Sequence, residues 1–339
     1  MEPFRPSVII CDILRRIQDY RLLEPLGEGA QARLFRAEKA GRLYALKLFP
    51  AAAAEQARRE GSALAAVRHP NVVRLVEAGT APEGPFLATQ WIEGESLDRA
   101  APPRDWERLR RTVLEILEGL KAIHAQGLVH GDVKGANILL HAEGAKLVDL
   151  GFARPASEPG EISAGTLAYL APELLFGRSP GPASDLYALG MTLYRWLRGG
   201  FPFPADSASE VLRWHLLATP LHPSPHGDLP VEFGDFVLSL LAKSPADRPR
   251  DVGEALARFA ALFGLEAIAT PEAEPGEEEG FELYGEAIRF YEAKASLNSE
   301  EKILLAELYH RQGYPAKALQ LLEKSGSPEA AILRGKALT

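Results

Sequence analysis

The chain has 339 residues, which is enough for about two domains of ordinary size and excludes a single small module. Hydrophobic residues make up 46% and charged residues 25% of the chain, a composition that excludes collagen-like, coiled-coil and mostly disordered proteins. The single cysteine excludes an internal disulfide or a cysteine-rich metal site, and no apolar run approaches the roughly 18 residues of a membrane span, so a cytoplasmic location is expected.

The net charge of −8 comes from one part of the sequence. Between residues 259 and 288 there are eight Glu and no Lys or Arg; removing them from the 46 acidic residues leaves 38, which equals the number of Lys and Arg. Residues 264–280 within this stretch are rich in Pro, Gly and Glu, so we expect an acidic linker there. Nucleic acid is not an expected partner, because the sequence has no basic stripe.

Residues 20–92 have mainly the periodicity of strands. After a leader, residues 1–19, apolar and polar residues alternate over 22–48 around turn signals at Gly27–Gly29 and Ala40–Gly41. This pattern predicts a β-meander. An alanine-rich helix is expected over 51–67, followed by two more strands over 71–78 and 85–92. The prediction is a small antiparallel sheet with one helix.

From Pro103 onward the pattern is mainly helical, interrupted by two short apolar runs at 138–140 and 145–148. The fold class is therefore α+β, with a small antiparallel β lobe followed by a larger α lobe, and a ligand site is expected between the two. The helices are expected over 106–126, 185–197, 209–217, 231–242 and 252–262.

Two features of the β lobe suggest anion binding. The hairpin around Gly27 and Gly29 would let backbone N–H groups approach phosphate oxygens, although ordinary hairpins also contain such glycines. Lys47 lies within an apolar strand and needs an anionic partner unless it extends to solvent. Glu60 shares an inward helix face with Leu64, so we expect the two charged residues to pair.

The strongest local pattern is His130-Gly-Asp-Val-Lys-Gly-Ala-Asn137, followed by Lys146-Leu-Val-Asp-Leu-Gly151. Its carboxylate and amide oxygens, from Asp132, Asn137 and Asp149, are ligands that suit Mg²⁺ bound together with phosphate. An ordinary polar turn capped by Asp and Asn would explain one acid but explains the ordered set poorly.

Taken in order, these motifs resemble the eukaryotic-type Ser/Thr protein kinase family over about 240 residues. The resemblance implies a bilobal kinase domain over 20–263, with an N-lobe over 20–92 and a C-lobe over 93–263. The motifs are the glycine loop at Gly27, Lys47 with Glu60, the catalytic loop His130–Asn137, Asp149-Leu-Gly151, Ala171-Pro-Glu173, Asp185 and Arg248.

The resemblance also implies that ATP and Mg²⁺ take part in transfer of a phosphoryl group to Ser or Thr hydroxyls of proteins. Lys47, held by Glu60, would position the α- and β-phosphates, while Asn137 and Asp149 would hold Mg²⁺. Asp132 would take the acceptor's proton, and Lys134 would neutralise charge on the transferred group. The implied nucleotide-binding residues are Leu26, Gly27, Gly29, Leu34, Ala45, Lys47, Thr89, Gln90, Ile92 and Leu139.

The sequence departs from the family at Gly131, where an arginine usually precedes the catalytic aspartate. The same His-Gly-Asp core occurs in small-molecule phosphotransferases related to aminoglycoside and choline kinases, which lack the segment corresponding to Gly165–Glu173. A protein substrate is favoured because that segment and Asp185 are present. A catalytically inactive nucleotide-binding scaffold is the third alternative.

Residues 281–339 are expected to be helical and resemble tetratricopeptide repeats. Small and aromatic residues fall at the repeat's contact positions, namely Ala306, Tyr309, Gly313, Ala318 and Leu322. A short repeat segment could bind a peptide or protein partner, or it could cap the kinase domain.

Overall fold

The computed structural model describes residues 16–28, 32–156, 158, 164–203, 207–223, 230–262, 283–322 and 328–337. The chain divides into two units. The first comprises Met1–Ala100, Arg110–His130 and Gly135–Pro155; the second comprises Ala101–Leu109, Gly131–Lys134 and Ala156–Thr339. Within the described ranges, no helix is both long enough and apolar enough to cross a membrane.

The first unit contains a six-stranded sheet in which all neighbouring strands are antiparallel, in the order β1-β2-β3-β4-β6-β5. The predicted meander is confirmed. The strands of the six-stranded sheet are β1 (Arg16–Ile17), β2 (Tyr20–Glu28), β3 (Arg33–Lys39), β4 (Arg42–Leu48), β5 (Leu75–Ala81) and β6 (Gly84–Gln90).

The strand expected over 71–78 begins later, at Leu75. Val72 instead forms an isolated parallel bridge with Leu147, and the Val73 N–H donates to the Leu147 carbonyl at 2.9 Å. At the other edge, β1 lies within the stretch expected to be a leader, and Ile17 is fully buried.

The two faces of the sheet differ because side chains alternate along each strand. Leu46 and Leu48 belong to an apolar core that includes Phe86 and Ala88. Lys47 therefore lies on the opposite face, with its register partners Leu34 and Leu87, and Ala45 and its partner Thr89 lie on that same face.

Helix α1 (Ala54–Ala66) follows a short 3-10 helix at Ala51–Ala53, so the helix expected over 51–67 is present. It packs on the Lys47 face of the sheet: a Cβ on Gly61 would lie 3.0 Å from Leu87 Cδ2. Glu60 and Leu64 are buried on the inner side of this helix. The close approach of α1 brings the Glu60 carboxylate to the lysine.

The first unit also contains the residues on either side of the catalytic-loop sequence. It contains most of α2 (Trp106–His124) and a three-stranded sheet of order β10-β9-β7. A Cβ on Gly119 of α2 would lie 2.9 Å from the Asn71 carbonyl, so the helix packs closely there. The three strands are β7 (Gly94–Ser96), β9 (Ile138–His141) and β10 (Gly144–Leu147), and a separate two-stranded antiparallel sheet pairs β8 (Leu128–Val129) with β11 (Arg154–Pro155).

The second unit is helical, as expected. Its central helix, α3, is buried along most of its length, which is possible because its residues are apolar on nearly every side. The helices are α3 (Pro182–Arg198), α4 (Ala208–Leu217), α5 (Val231–Leu240), α6 (Val252–Ala261), α7 (Leu283–Glu292), α8 (Ser299–Arg311), α9 (Pro315–Leu322) and α10 (Pro328–Ala337).

A buried ion pair joins Glu173, which precedes α3, to Arg248, which lies between α5 and α6. Arg248 donates two hydrogen bonds of 2.8 Å to the two oxygens of Glu173, and its guanidinium also donates to the carbonyls of Ala183, Ala242 and Lys243. Both side chains are almost fully buried. Such a pair tolerates burial because the charges and the remaining donors are all satisfied.

Candidate active site

The first cluster of functional side chains is centred on Lys47. Its Nζ lies 2.9 Å from both carboxylate oxygens of Glu60 and 2.7 Å from Oδ1 of Asp149. The predicted pairing of Lys47 with Glu60 is confirmed. Glu60 is buried whereas the Asp149 side chain is 38% exposed, so one carboxylate anchors the ammonium and the other faces outward.

Local backbone structure presents the Asp149 carboxylate. Asp149 follows β10 and has a φ of 63°, in the left-handed region that Asp tolerates better than most residues. The Gly151 N–H donates to Oδ1 of Asp149 at 3.2 Å. The Val148 N–H donates to the Asn137 carbonyl at 2.9 Å, which ties the buried Asn137 to the residue just before Asp149.

Gly151 has no room for a side chain. A Cβ at this position would lie 2.9 Å from Oε2 of Glu60, 3.0 Å from Oδ1 of Asp149 and 3.4 Å from Nζ of Lys47. The glycine therefore lets the turn close over all three charged groups. Sequence reasoning treated Gly151 only as part of a motif, because a glycine in a turn does not reveal what its missing side chain would contact.

The three charges shift one another's pKa values. Burial, together with the negative charge of Asp149, raises the pKa of Glu60 to about 7, although Lys47 opposes the change. Burial also disfavours the charge of Lys47, but the two carboxylates outweigh it and raise the pKa of the ammonium. For Asp149 burial is likewise overcome, and Lys47 lowers its pKa. One ammonium is thus shared by two acids.

The residues expected to bind the nucleotide occupy the same unit. Leu34, Ala45 and Thr89 share the Lys47 face of the sheet and are half-buried, and the Thr89 hydroxyl donates to the Ala45 carbonyl at 3.3 Å. Leu26 is 43% exposed at the end of β2, and Gly27 has open space around it. The others differ in position: Gln90 ends β6, Ile92 follows it, Leu139 lies on β9, and Gly29 lies outside the described residues.

The second unit contains the other catalytic candidates. Nζ of Lys134 lies 2.7 Å from Oδ2 of Asp132, and the Asp132 side chain is only 3% exposed. The loop around them is held by α3, because the Gly131 N–H donates to Oδ1 of Asp185 at 2.9 Å. Gly131 has a φ of 75°, where a side chain is strained. Glycine thus suits the conformation at this departure from the family pattern.

His215, which sequence reasoning did not select, links three elements of the same unit. Its Nδ1 lies 2.8 Å from the Tyr187 hydroxyl on α3, and its Nε2 lies 3.0 Å from the Leu167 carbonyl. Burial lowers the pKa of His215 to about 3, so the ring is neutral. A carbonyl only accepts hydrogen bonds, so Nε2 carries the proton and Nδ1 accepts from tyrosine. A lone histidine in an apolar helix gave no sign of these partners.

The antiparallel sheet, the helical part and the Lys47–Glu60–Asp149 cluster together define a protein kinase domain. The family model described as "Protein kinase domain" matches residues 20–257. The chain belongs to this family.

Among curated relatives, the chain is 34% identical over 276 residues to "Serine/threonine-protein kinase pkn2" of Myxococcus xanthus, covering 74% of this chain and 33% of that protein. It is 35% identical over 280 residues to "Serine/threonine-protein kinase PkaA" of Streptomyces coelicolor, covering 74% and 50%. For "Serine/threonine-protein kinase PknB" of Mycobacterium leprae the values are 33% over 214 residues, covering 58% and 34%. The chain spans a third to a half of the length of these relatives.

Proposed function

We propose that this chain transfers the γ-phosphoryl group of ATP to Ser or Thr hydroxyls of protein substrates. The observation that carries the proposal is the Lys47 ammonium held between the carboxylates of Glu60 and Asp149, at 2.9 and 2.7 Å. A half-buried ammonium fixed in this way is suited to binding phosphate oxygens, since its position is set before the ligand arrives.

Lys47 binds the α- and β-phosphates in this proposal, and Glu60 keeps the ammonium in place. Gly27 and Gly29 contribute backbone N–H groups to the phosphates, as glycines allow close approach. Leu26, Leu34 and Ala45 contact one side of the adenine and Leu139 the other. Gln90 and Ile92 offer backbone hydrogen-bonding groups, and Thr89 limits the depth of the pocket.

The donors suited to a divalent cation are the side chains of Asn137 and Asp149. An amide oxygen and a carboxylate are hard ligands, and Mg²⁺ is commonly bound by one or two protein oxygens together with phosphate oxygens, so these residues fit Mg²⁺. The cation, when bound with ATP, supplies positive charge that stabilises the transferred phosphoryl group. The lowered pKa of Asp149 keeps this carboxylate ionised and able to bind a cation at neutral pH.

Asp132 orients the acceptor hydroxyl and takes its proton as the oxygen bonds to phosphorus. Lys134, whose Nζ lies 2.7 Å from Oδ2 of Asp132, supplies positive charge beside the carboxylate and neutralises charge on the transferred group. The names of the relatives and the segment Gly165–Glu173 support a protein acceptor over a small molecule. Outside residues 259–288 the sequence has no net charge, which gives no support for nucleic acid as a partner.

We also propose that the C-terminal helices form a tetratricopeptide-like unit, reached through the acidic linker at 264–280. Consecutive helices α7 to α10 pack on one another, and the small residues Ala306 and Ala318 are almost fully buried where they meet. Gly313 ends the turn between α8 and α9 with a φ of 80°. The linker lies outside the described residues. Such a unit suits a peptide or protein partner.

Incubation of the purified chain with labelled ATP, Mg²⁺ and a histone acceptor tests the proposed activity. We expect label on serine or threonine of the acceptor. Asp132→Asn should lower turnover by about 10²- to 10⁴-fold, because the variant cannot take the hydroxyl proton. Asp235→Asn, which changes an exposed aspartate on α5, is the matched control and should keep the wild-type rate.

Each alternative gives a different result in the same assay. A small-molecule kinase would label an aminoglycoside or an amino alcohol but no protein. A nucleotide-binding scaffold would bind ATP without turnover. Equal rates for Asp132→Asn and the wild type would remove Asp132 as the base.

A further inference from the structure

The apolar core formed by the C-terminal helices includes residues of the kinase domain. Leu216 and Leu217 at the end of α4 are buried in the same cluster as Leu308 of α8 and Leu322 of α9. Phe176, just after the Ala171-Pro-Glu173 motif, packs against this cluster, and its ring centroid lies 5.8 Å from that of Phe290 on α7. The contact therefore covers both α4 and the end of the segment that precedes α3.

Two ion pairs flank this apolar contact. Arg213 of α4 donates through Nε to Oε2 of Glu307 on α8 at 2.9 Å, although the residues are 94 positions apart. Arg178 forms an ion pair with Glu286 of α7. Because α4 has only ten residues, its position depends more on packing than on its own helical stability. The contact with α8 is therefore expected to determine where α4 lies, while α7 packs against the segment at Phe176 and Arg178.

Helix α4 also contacts the Gly165–Glu173 segment, whose presence supports a protein acceptor. His215 donates to the Leu167 carbonyl at 3.0 Å and accepts from Tyr187 of α3 at 2.8 Å. The Lys243 ammonium donates to the Trp214 carbonyl at 2.9 Å, one residue earlier in α4. A displacement of α4 would consequently move or release the Leu167 carbonyl.

We propose that α7 and α8 position the protein acceptor: α8 holds α4, α7 holds the segment at Phe176, and His215 of α4 holds the backbone at Leu167 in the conformation that binds the acceptor. This inference rests on the proposed protein kinase activity. His215 is a positioning residue here, since it acts through the backbone of the acceptor-binding segment. The C-terminal helices thereby contribute to substrate affinity from outside the nucleotide site.

Charge reversal at the Arg213–Glu307 pair tests the proposal in the full chain. Arg213→Glu and Glu307→Arg should each raise KM for a histone acceptor about five-fold, with KM for ATP unchanged, because α4 loses its fixed position. The double variant Arg213→Glu with Glu307→Arg should return the acceptor KM to within about two-fold of wild type, since the pair is restored.

Arg258→Glu is the matched control. Arg258 pairs with Glu254 on its own helix α6 and is exposed to the same degree as Arg213, 43% against 42%. It makes the same change of charge without touching the contact between α4 and α8, so the acceptor KM should stay at the wild-type value. His215→Leu removes both hydrogen bonds at similar volume and should raise the acceptor KM as the single reversals do.

Amide hydrogen exchange gives a readout that does not require kinase activity. Peptides covering 167–176 should exchange faster in Arg213→Glu than in wild type and return to the wild-type rate in the double variant. Unchanged acceptor KM and exchange in the single reversals, or failure of the double variant to restore them, would overturn the proposal. An unchanged acceptor KM in His215→Leu would also refute it. If the wild type phosphorylates no protein, the proposed function fails, and exchange alone decides whether α8 positions this segment.

Discussion

At the scale of single residues, the arrangement around Lys47 depends on a glycine, Gly151, because a side chain at this position would crowd the charged groups. Gly151 allows the turn after Asp149 to lie against the carboxylates of Glu60 and Asp149. The burial of Glu60 raises its pKa to about 7, although the neighbouring Lys47 opposes this change. The space at Gly151 and the positions of the charged groups therefore depend on each other.

Gly151→Ala tests this coupling. The added methyl group would lie 2.9 Å from Oε2 of Glu60 and 3.0 Å from Oδ1 of Asp149, closer than nonbonded carbon and oxygen atoms normally approach. We expect kcat/KM for ATP to fall about ten-fold or more, because the ammonium and the carboxylate are displaced from their positions. Steady-state kinetics at varied ATP measures this.

Gly200→Ala provides the control, since a Cβ at Gly200 meets no atom within 4 Å. It should leave kcat/KM for ATP unchanged. Equal kcat/KM values for Gly151→Ala and wild type would show that the turn accommodates a methyl group, which would contradict the prediction.

Sequence reasoning located Lys47 and Glu60 because each is a charged residue at an inward position of an apolar pattern. It did not find the packing requirement at Gly151 or the hydrogen bonds of His215. These depend on atoms contributed by distant segments: Glu60 approaches Gly151, and Leu167 approaches His215. Periodicity within one segment carries no information about such partners.

At the scale of elements, a half-buried lysine, Lys243, stabilises the end of α4 at an electrostatic cost. Nζ of Lys243 donates to the Trp214 carbonyl at 2.9 Å, which is favourable near a helix C-terminus. Burial, with a smaller contribution from Arg248, lowers the pKa of Lys243 from 10.5 to about 7. The charged form is therefore less stable in the folded chain than in water.

The lowered pKa of Lys243 predicts how stability changes with pH. Between pH 7 and 10.5 the unfolded chain keeps a proton on Lys243 that the folded chain has released, so stability rises with pH over this range. From pH 7 to 9 the gain is at most about 2 kcal/mol for this one group. Lys243→Met should lack this gain, as seen by denaturant unfolding of both proteins at each pH.

Lys121→Met changes an exposed lysine on α2 and should retain the pH dependence of the wild type. Parallel stability curves for wild type and Lys243→Met from pH 7 to 9 would contradict a lowered pKa at Lys243.

The element boundaries show a similar limit of sequence reasoning. The helices of the second unit match the apolar periodicity because each buries one face or, for α3, nearly all of its surface. The strand expected over 71–78 begins at Leu75, as Val72 and Val73 pair with Leu147 instead of the large sheet. A run of apolar residues in the sequence does not indicate which strand it will pair with.

At the scale of the whole molecule, the chain combines a kinase domain with C-terminal helices that pack on it. The sequence indicated that 281–339 would be helical but left open whether the segment caps the kinase domain or binds a partner. In the described residues, α8 contacts α4 through the Arg213–Glu307 pair, and Leu216 and Leu217 of α4 are buried in the core of the C-terminal helices. Leu216 and Leu217 look like ordinary core residues in sequence, so nothing local distinguished this contact.

Asp149 and Lys47 are proposed to bind a metal–nucleotide complex together. Calorimetric titration with ATP, in Mg²⁺ and again in EDTA, measures whether the cation strengthens nucleotide binding through Asp149. For the wild type, Mg²⁺ should tighten ATP binding about ten-fold or more, because Asp149 supplies a carboxylate ligand to the cation. Asp149→Asn should lose most of this tightening, whereas Asp235→Asn should keep it. An Asp149→Asn variant with the full wild-type response to Mg²⁺ would contradict the account.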